Sequence, residues 1–179
     1  MSNLWKSVLA LWVIGMALAV SAPALAATSA IGPYYPTPSW DQTLPAATRF
    51  IVLTNMNSDA VLDRETGLVW ELLPSTSTFV WRNAFFHCVL LNKGGRKGWR
   101  LPTIQDLASL IDPTAVNPAL PSGHPFTVAS SFYWSATAFV DDATFAYDVN
   151  FGTGGVDGHN KHGEDYAWCV RGGPGVDPQ

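Results

Sequence analysis

Two cysteines, Cys88 and Cys169, stand 81 positions apart, and joining them would constrain this chain more than any other single feature. Whether they are expected to join depends on the compartment, and the first 26 residues address that. Lys6 and the amino terminus form a short positive region, Val8 to Val20 carries no polar side chain, and Ser21-Ala22-Pro23 breaks the run. Ala24-Leu25-Ala26 then offers small residues where a signal peptidase reads. A helix over Val8 to Val20 would rise about 20 Å, short of a bilayer core of about 30 Å, so residues 1–26 read as a secretory signal rather than an anchor. The expected product is exported, to the periplasm, the cell surface or beyond, with no membrane span after cleavage. In an oxidising compartment an even pair of cysteines predicts one long-range disulfide, worth roughly 4 kcal/mol on the chain-entropy model. The rival reading is a nucleophilic Cys88 served by His87. It has little support, because neighbours on a helix diverge by about 100°.

Cleavage after Ala26 removes Lys6 and no acid, which takes the formal charge from -4 to one unit lower. That acidity, with a pI near 5.4, excludes the basic face a nucleic-acid binder needs. Residues 27–49 hold Pro33, Pro36, Pro38 and Pro45 and are expected to form an extended lead-in. Residues 50–173 carry the patterning of one domain, and 174–179 form a loose tail.

Within the domain, Phe50 to Leu53 is a strand candidate. Val61-Leu62 and Leu68-Val69-Trp70 flank Asp63-Arg64-Glu65-Thr66-Gly67 as a hairpin. Thr78 is placed as the cap of a helix running to about Leu91, with Trp81, Ala84, Cys88 and Leu91 on one face. Thr103 and Asp106 open a second helix that Asp112-Pro113 stops. Tyr133 to Phe139, Phe145 to Phe151, Val156 to Lys161 and Tyr166 to Arg171 are strand candidates. In the second of these, Phe145, Tyr147, Val149 and Phe151 are expected inward and Ala146, Asp148 and Asn150 outward. Two helices early and antiparallel strands late make an α+β order.

The most distinctive stretch is Gly98-Trp99-Arg100-Leu101-Pro102-Thr103. It reads as a tight turn, a core aromatic, an arginine held by a carboxylate or loop carbonyls, and a helix start. Together with Leu62-Asp63-Arg64-Glu65-Thr66-Gly67-Leu68-Val69-Trp70, Tyr133-Trp134-Ser135-Ala136-Thr137, Val149-Asn150-Phe151 and Trp168-Cys169-Val170-Arg171-Gly172, it resembles the Lcl C-terminal domain family, named after a bacterial collagen-like adhesin. The resemblance implies a C-type-lectin-like α+β fold, a helix-to-last-strand disulfide from Cys88 to Cys169, and an adhesive role toward polysaccharide. The fold signature it marks is Trp70, Gly98, Trp99, Arg100, Leu101, Pro102 and Trp134. No collagen-like repeat is present, and the acidic charge argues against a sulfated polyanion as ligand.

The expected function is therefore a non-catalytic binding or surface-interaction module, with a glycan or an envelope protein as partner. The alternatives are an enzyme of the formylglycine-generating fold group, which would need free cysteines, and a purely structural envelope component. No cofactor is expected. Asp141, Asp142, Asp148 and Asn150 offer oxygens of the kind calcium accepts, but in no recognisable calcium pattern, so solvated acids are the reading. His159 and His162 are expected on an exposed hairpin facing opposite ways, and zinc would need Asp157 or Glu164 besides. Glu164-Asp165 shows no partner for acid–base work. Loops 138–144 and 152–163 are the expected ligand surface, with Phe139 as a stacking platform and Asp141, Asp142, His159 and Lys161 as polar contacts.

Overall fold

The computed structural model describes residues 44–173; the signal segment, most of the lead-in and the tail lie outside them. What is described of the lead-in is not all extended. Pro45 caps a single helical turn, α1 (Ala46–Arg49), whose start suits a residue without an amide hydrogen. Arg49 is drawn inward by three acceptors, Asp63 (2.8 and 2.9 Å), Glu65 (2.8 Å) and the Ser109 carbonyl (2.7 Å). It leads directly into β1 (Phe50–Val52).

The expected hairpin forms as β2 (Ala60–Asp63) and β3 (Val69–Glu71), with Val61 opposite Trp70. Its turn is locked by Asp63, which accepts from the Glu65 amide at 3.0 Å and the Thr66 hydroxyl at 2.9 Å, while Gly67 takes a φ of +73° that other residues resist. With β9 (Val170–Arg171) added beside β3, these strands make an antiparallel sheet in the order β1-β2-β3-β9.

A second sheet runs β4-β8-β5-β6-β7. Its strands are β4 (Thr78–Val80), β5 (Phe132–Ala138), β6 (Phe145–Asn150), β7 (Gly155–Asn160) and β8 (Glu164–Tyr166). All pairings in it are antiparallel except β5 with β8. Thr78 is thus not a helix cap. It is the first residue of β4 and bonds Glu164 at 2.9 Å, and α2 (Trp81–Leu90) starts two residues later than its placement as a cap implied, with Val80 at the cap position. Residues 166–171 likewise do not form one strand. Tyr166 ends β8, and Ala167 to Cys169 carry the chain across to β9 in the other sheet. The strand candidate Val156 to Lys161 forms as β7 and is paired with β6 along its whole length, so this part of the expected 152–163 ligand loop is strand rather than loop.

The strict alternation expected of β6 also fails. Ala146 and Asp148 are buried along with Val149, because both faces of this sheet are covered. On one side lies an aromatic core of Trp70, Phe126, Tyr133, Phe151 and Trp168. On the other, Trp99, Trp134 and Ala146 pack with Ala84 and Cys88 of α2. The Cys88–Cys169 disulfide is present and fully buried, tying α2 to the residue that precedes β9.

The Gly98–Thr103 stretch is the junction of the fold. Trp99 is buried and bonds the Arg96 carbonyl at 3.0 Å. The Arg100 backbone pairs with Val170, while its guanidinium reaches Asp106 at 2.7 Å and the Gly172 carbonyl at 3.0 Å. The Pro102 carbonyl accepts from Ala136, and Thr103 closes a reciprocal capping box with Asp106 at the start of α3 (Ile104–Ala108). Among the described residues, no helix is long and apolar enough to cross a membrane.

Candidate functional site

Two adjoining cavities open at the β6–β7 edge of the second sheet, and they share Asp157 and Gly158. The first, about 270 Å³, is lined by Phe139, Asp142, Phe145, Asp157 and Gly158. Phe139 follows β5 and folds back over β7, its ring 4.9 Å from that of Tyr147. Gly158 makes that position possible: a Cβ there would stand 3.1 Å from the Phe139 ring. Asp142 caps its own loop, accepting from the Thr144 amide at 2.8 Å and hydroxyl at 2.6 Å. Those bonds hold its carboxyl below the usual range. Asp157 is fixed in the same way by the Gly158 amide at 2.8 Å.

The second cavity, about 230 Å³, is lined by Phe132, Asp148, Asp157, Gly158, His159 and Asp165. Strand pairing sets His159 opposite Ala146 and Asp148 opposite Trp134, so His159 comes to lie against Trp134, with rings 5.2 Å apart and nearly parallel. Its Nδ1 meets Asp165 Oδ2 at 2.7 Å and Asp148 Oδ2 at 3.9 Å. Asp148 is 2% exposed, and its Oδ1 is buried with no hydrogen-bond partner. Burial first, and then the Asp165 carboxylate, push the Asp148 carboxyl up to about 7, with His159 opposing them.

The structure therefore divides the sequence-derived surface residues. Phe139 and Asp142 share one cavity, His159 lines its neighbour, and Asp141 is exposed outside both linings. Lys161 has a structural job: its Nζ bonds the Ala143 carbonyl at 2.7 Å and sits 4.5 Å from the Trp81 ring centre. His159 is half-buried rather than part of an exposed hairpin, whereas His162 is exposed. Asp148 is not a solvated acid, and Asp165 does have a partner. The oxygens considered for calcium are engaged separately, since Asn150 serves the Gly152 amide at 2.7 Å, Asp142 serves Thr144, and Asp148 faces His159 and Asp165. Glu164 is bonded to Thr78 instead of joining His159. Both cysteines are in the disulfide, so Cys88 is no thiol nucleophile. Sequence reasoning missed the grouping of Asp148 with His159 and Asp165, whose only local sign was a histidine and an acid six positions apart, His159 on one strand candidate and Asp165 just before the next.

No curated protein matches the chain. A family model described as the Lcl C-terminal domain matches residues 59–171. That span runs from the turn before β2 to the end of β9, covering more than half of the chain, both cavities, the disulfide and the Gly98–Thr103 junction. On that match, the chain belongs to the Lcl C-terminal domain family.

Proposed function

We propose that this chain is an exported, non-catalytic, adhesin-like binding module whose Phe139 cleft takes the neutral saccharide surface of a glycan. The observation that carries this reading is the joint lining of one cleft by Phe139, Phe145, Asp142 and Asp157. Sugars present apolar C–H faces and many hydroxyl donors; aromatic rings suit the first, and carboxylates fixed by neighbouring backbone amides suit the second. The carboxylates also repel a sulfated chain. Family membership and a buried disulfide support an exported role, and the C-type-lectin-like relation implied by the sequence signature belongs to the same reading. In it, residues 1–26 are a signal, the lead-in from residue 27 precedes the domain, and the working domain takes in Ala46–Arg49, which pack into it, along with 50–173. A second reading, an envelope-protein partner, is favoured by the apolar face that α2 turns to solvent with Phe85, Phe86, Val89 and Leu90.

An array of neutral, amino and sulfated glycans, probed with the disulfide-closed protein and with Phe139→Ala, tests the proposal. Binding to neutral saccharides that falls at least about tenfold in the variant is expected, the loss of one stacking contact being worth roughly 1.4 kcal/mol. A preference for sulfated over neutral chains, or binding indifferent to Phe139, would overturn it.

A further inference from the structure

Three acids and one imidazole line the second cavity, and no lysine or arginine is among its lining residues. Of these side chains, Asp148, His159 and Asp165 bring one ligand atom each to within 4.8 Å of one another. Crowded carboxylates alone would mean little, since acids cluster on many surfaces. Here two of the three are buried, and Asp148 keeps an oxygen out of water without any hydrogen bond in return. A buried acceptor left unpaired is costly, so it marks a position where a positive partner is missing. We infer that Asp148, His159 and Asp165 form a binding site for one divalent first-row transition ion, Zn2+ being the best fit.

The donor set chooses the ion. An imidazole nitrogen with two carboxylate oxygens suits zinc or manganese, whereas calcium and magnesium favour all-oxygen shells. Two carboxylates also balance the two charges of the ion. Ligand atoms about 2.0 Å from a tetrahedral zinc lie about 3.3 Å from one another. The two spacings around His159 Nδ1, 2.7 Å to Asp165 and 3.9 Å to Asp148, bracket that value. The ring is already oriented, by Trp134 on its face and by Gly163 at its edge. A Cβ on Gly163 would come within 3.0 Å of the imidazole, so no larger residue fits there without moving the ring. Three protein ligands beside an open cavity leave a coordination position for water or for an oxygen of a bound molecule.

This inference does not depend on the saccharide reading, since either can fail alone. The test is calorimetric titration of the chelator-stripped, disulfide-closed protein with Zn2+, Mn2+, Ca2+ and Mg2+ separately. One Zn2+ per chain is expected, bound more tightly than Ca2+ or Mg2+. His159→Ala and Asp148→Asn should each weaken it at least about 100-fold, more than loss of an outer partner costs. His162→Ala, which removes the exposed neighbouring histidine, should leave the affinity unchanged. Asp148→Asn keeps the shape of the residue and is expected to fold, so the test survives if His159→Ala does not. Zn2+ should also raise the melting temperature of the wild type and not of Asp148→Asn. Absence of Zn2+ binding, tighter binding of Ca2+ than of Zn2+, or Zn2+ binding that Asp148→Asn leaves intact would overturn the inference.

Discussion

Asp148 and Arg49 are both charged-type residues removed from water, and they are handled in opposite ways. Arg49 is fully answered, by Asp63 in a two-pronged pair, by Glu65 and by a carbonyl. Removing Asp63 would leave a buried guanidinium half-partnered and unlock the Thr66 turn. Asp63→Ala is accordingly expected to destabilise the protein by about 3 kcal/mol, measurable as a lowered urea midpoint. Asp148 is the reverse case, with a buried oxygen unpaired. An asparagine there keeps the shape of the side chain but carries no charge to bury, and burial is the main cause that pushes the Asp148 carboxyl up to about 7. In ion-free protein near neutral pH, Asp148→Asn should therefore stabilise by on the order of 1 kcal/mol. A urea midpoint lower than that of the wild type would show that Asp148 serves the fold instead.

Elements built from short-range chemistry were legible in the sequence, and those built across the chain were not. The Thr103–Asp106 capping box and the Asp63–Gly67 turn each close within a few residues, so spacing alone located them. Thr103→Ala removes the bond to the Asp106 amide and is expected to cost about 1 kcal/mol, checked by chemical denaturation. Thr78 looked like the same kind of cap, but its partner Glu164 lies 86 positions away on β8, and three residues of high strand propensity extend into β4 instead. The β6 pattern misled because alternation reports a sheet with one wet face, and this sheet is packed on both. The two cavities were half legible. Phe139 and Asp142 share one loop region, but Asp148, His159 and Asp165 meet only because β6, β7 and β8 belong to one sheet. The glycines of this edge serve it through lack of bulk. Gly158→Ala should press on the Phe139 ring and weaken saccharide binding several-fold without unfolding the domain, a result readable by titration alongside a melting curve.

At the scale of the whole molecule, the two sheets and the helices α1, α2 and α3 of the described residues are held by an aromatic core, a junction segment and the disulfide. The bridge closes 81 positions of chain and joins α2 to the crossing between the sheets. Replacing both cysteines by alanine should lower stability by about 2–4 kcal/mol, seen as a lower urea midpoint than that of the oxidised wild type. This construction leaves β7, the outermost strand of the second sheet, to carry the cleft, while Ala146 and Val149 of its neighbour β6 are buried in the core. The central claim is that ligand engages that edge. Amide hydrogen exchange, measured with and without the neutral oligosaccharide that binds best on the array, tests it most directly. Protection concentrated over residues 138–145 and 155–160 is expected. Protection confined to the apolar face of α2, or absent from residues 138–145 and 155–160 at saturating saccharide, would contradict it.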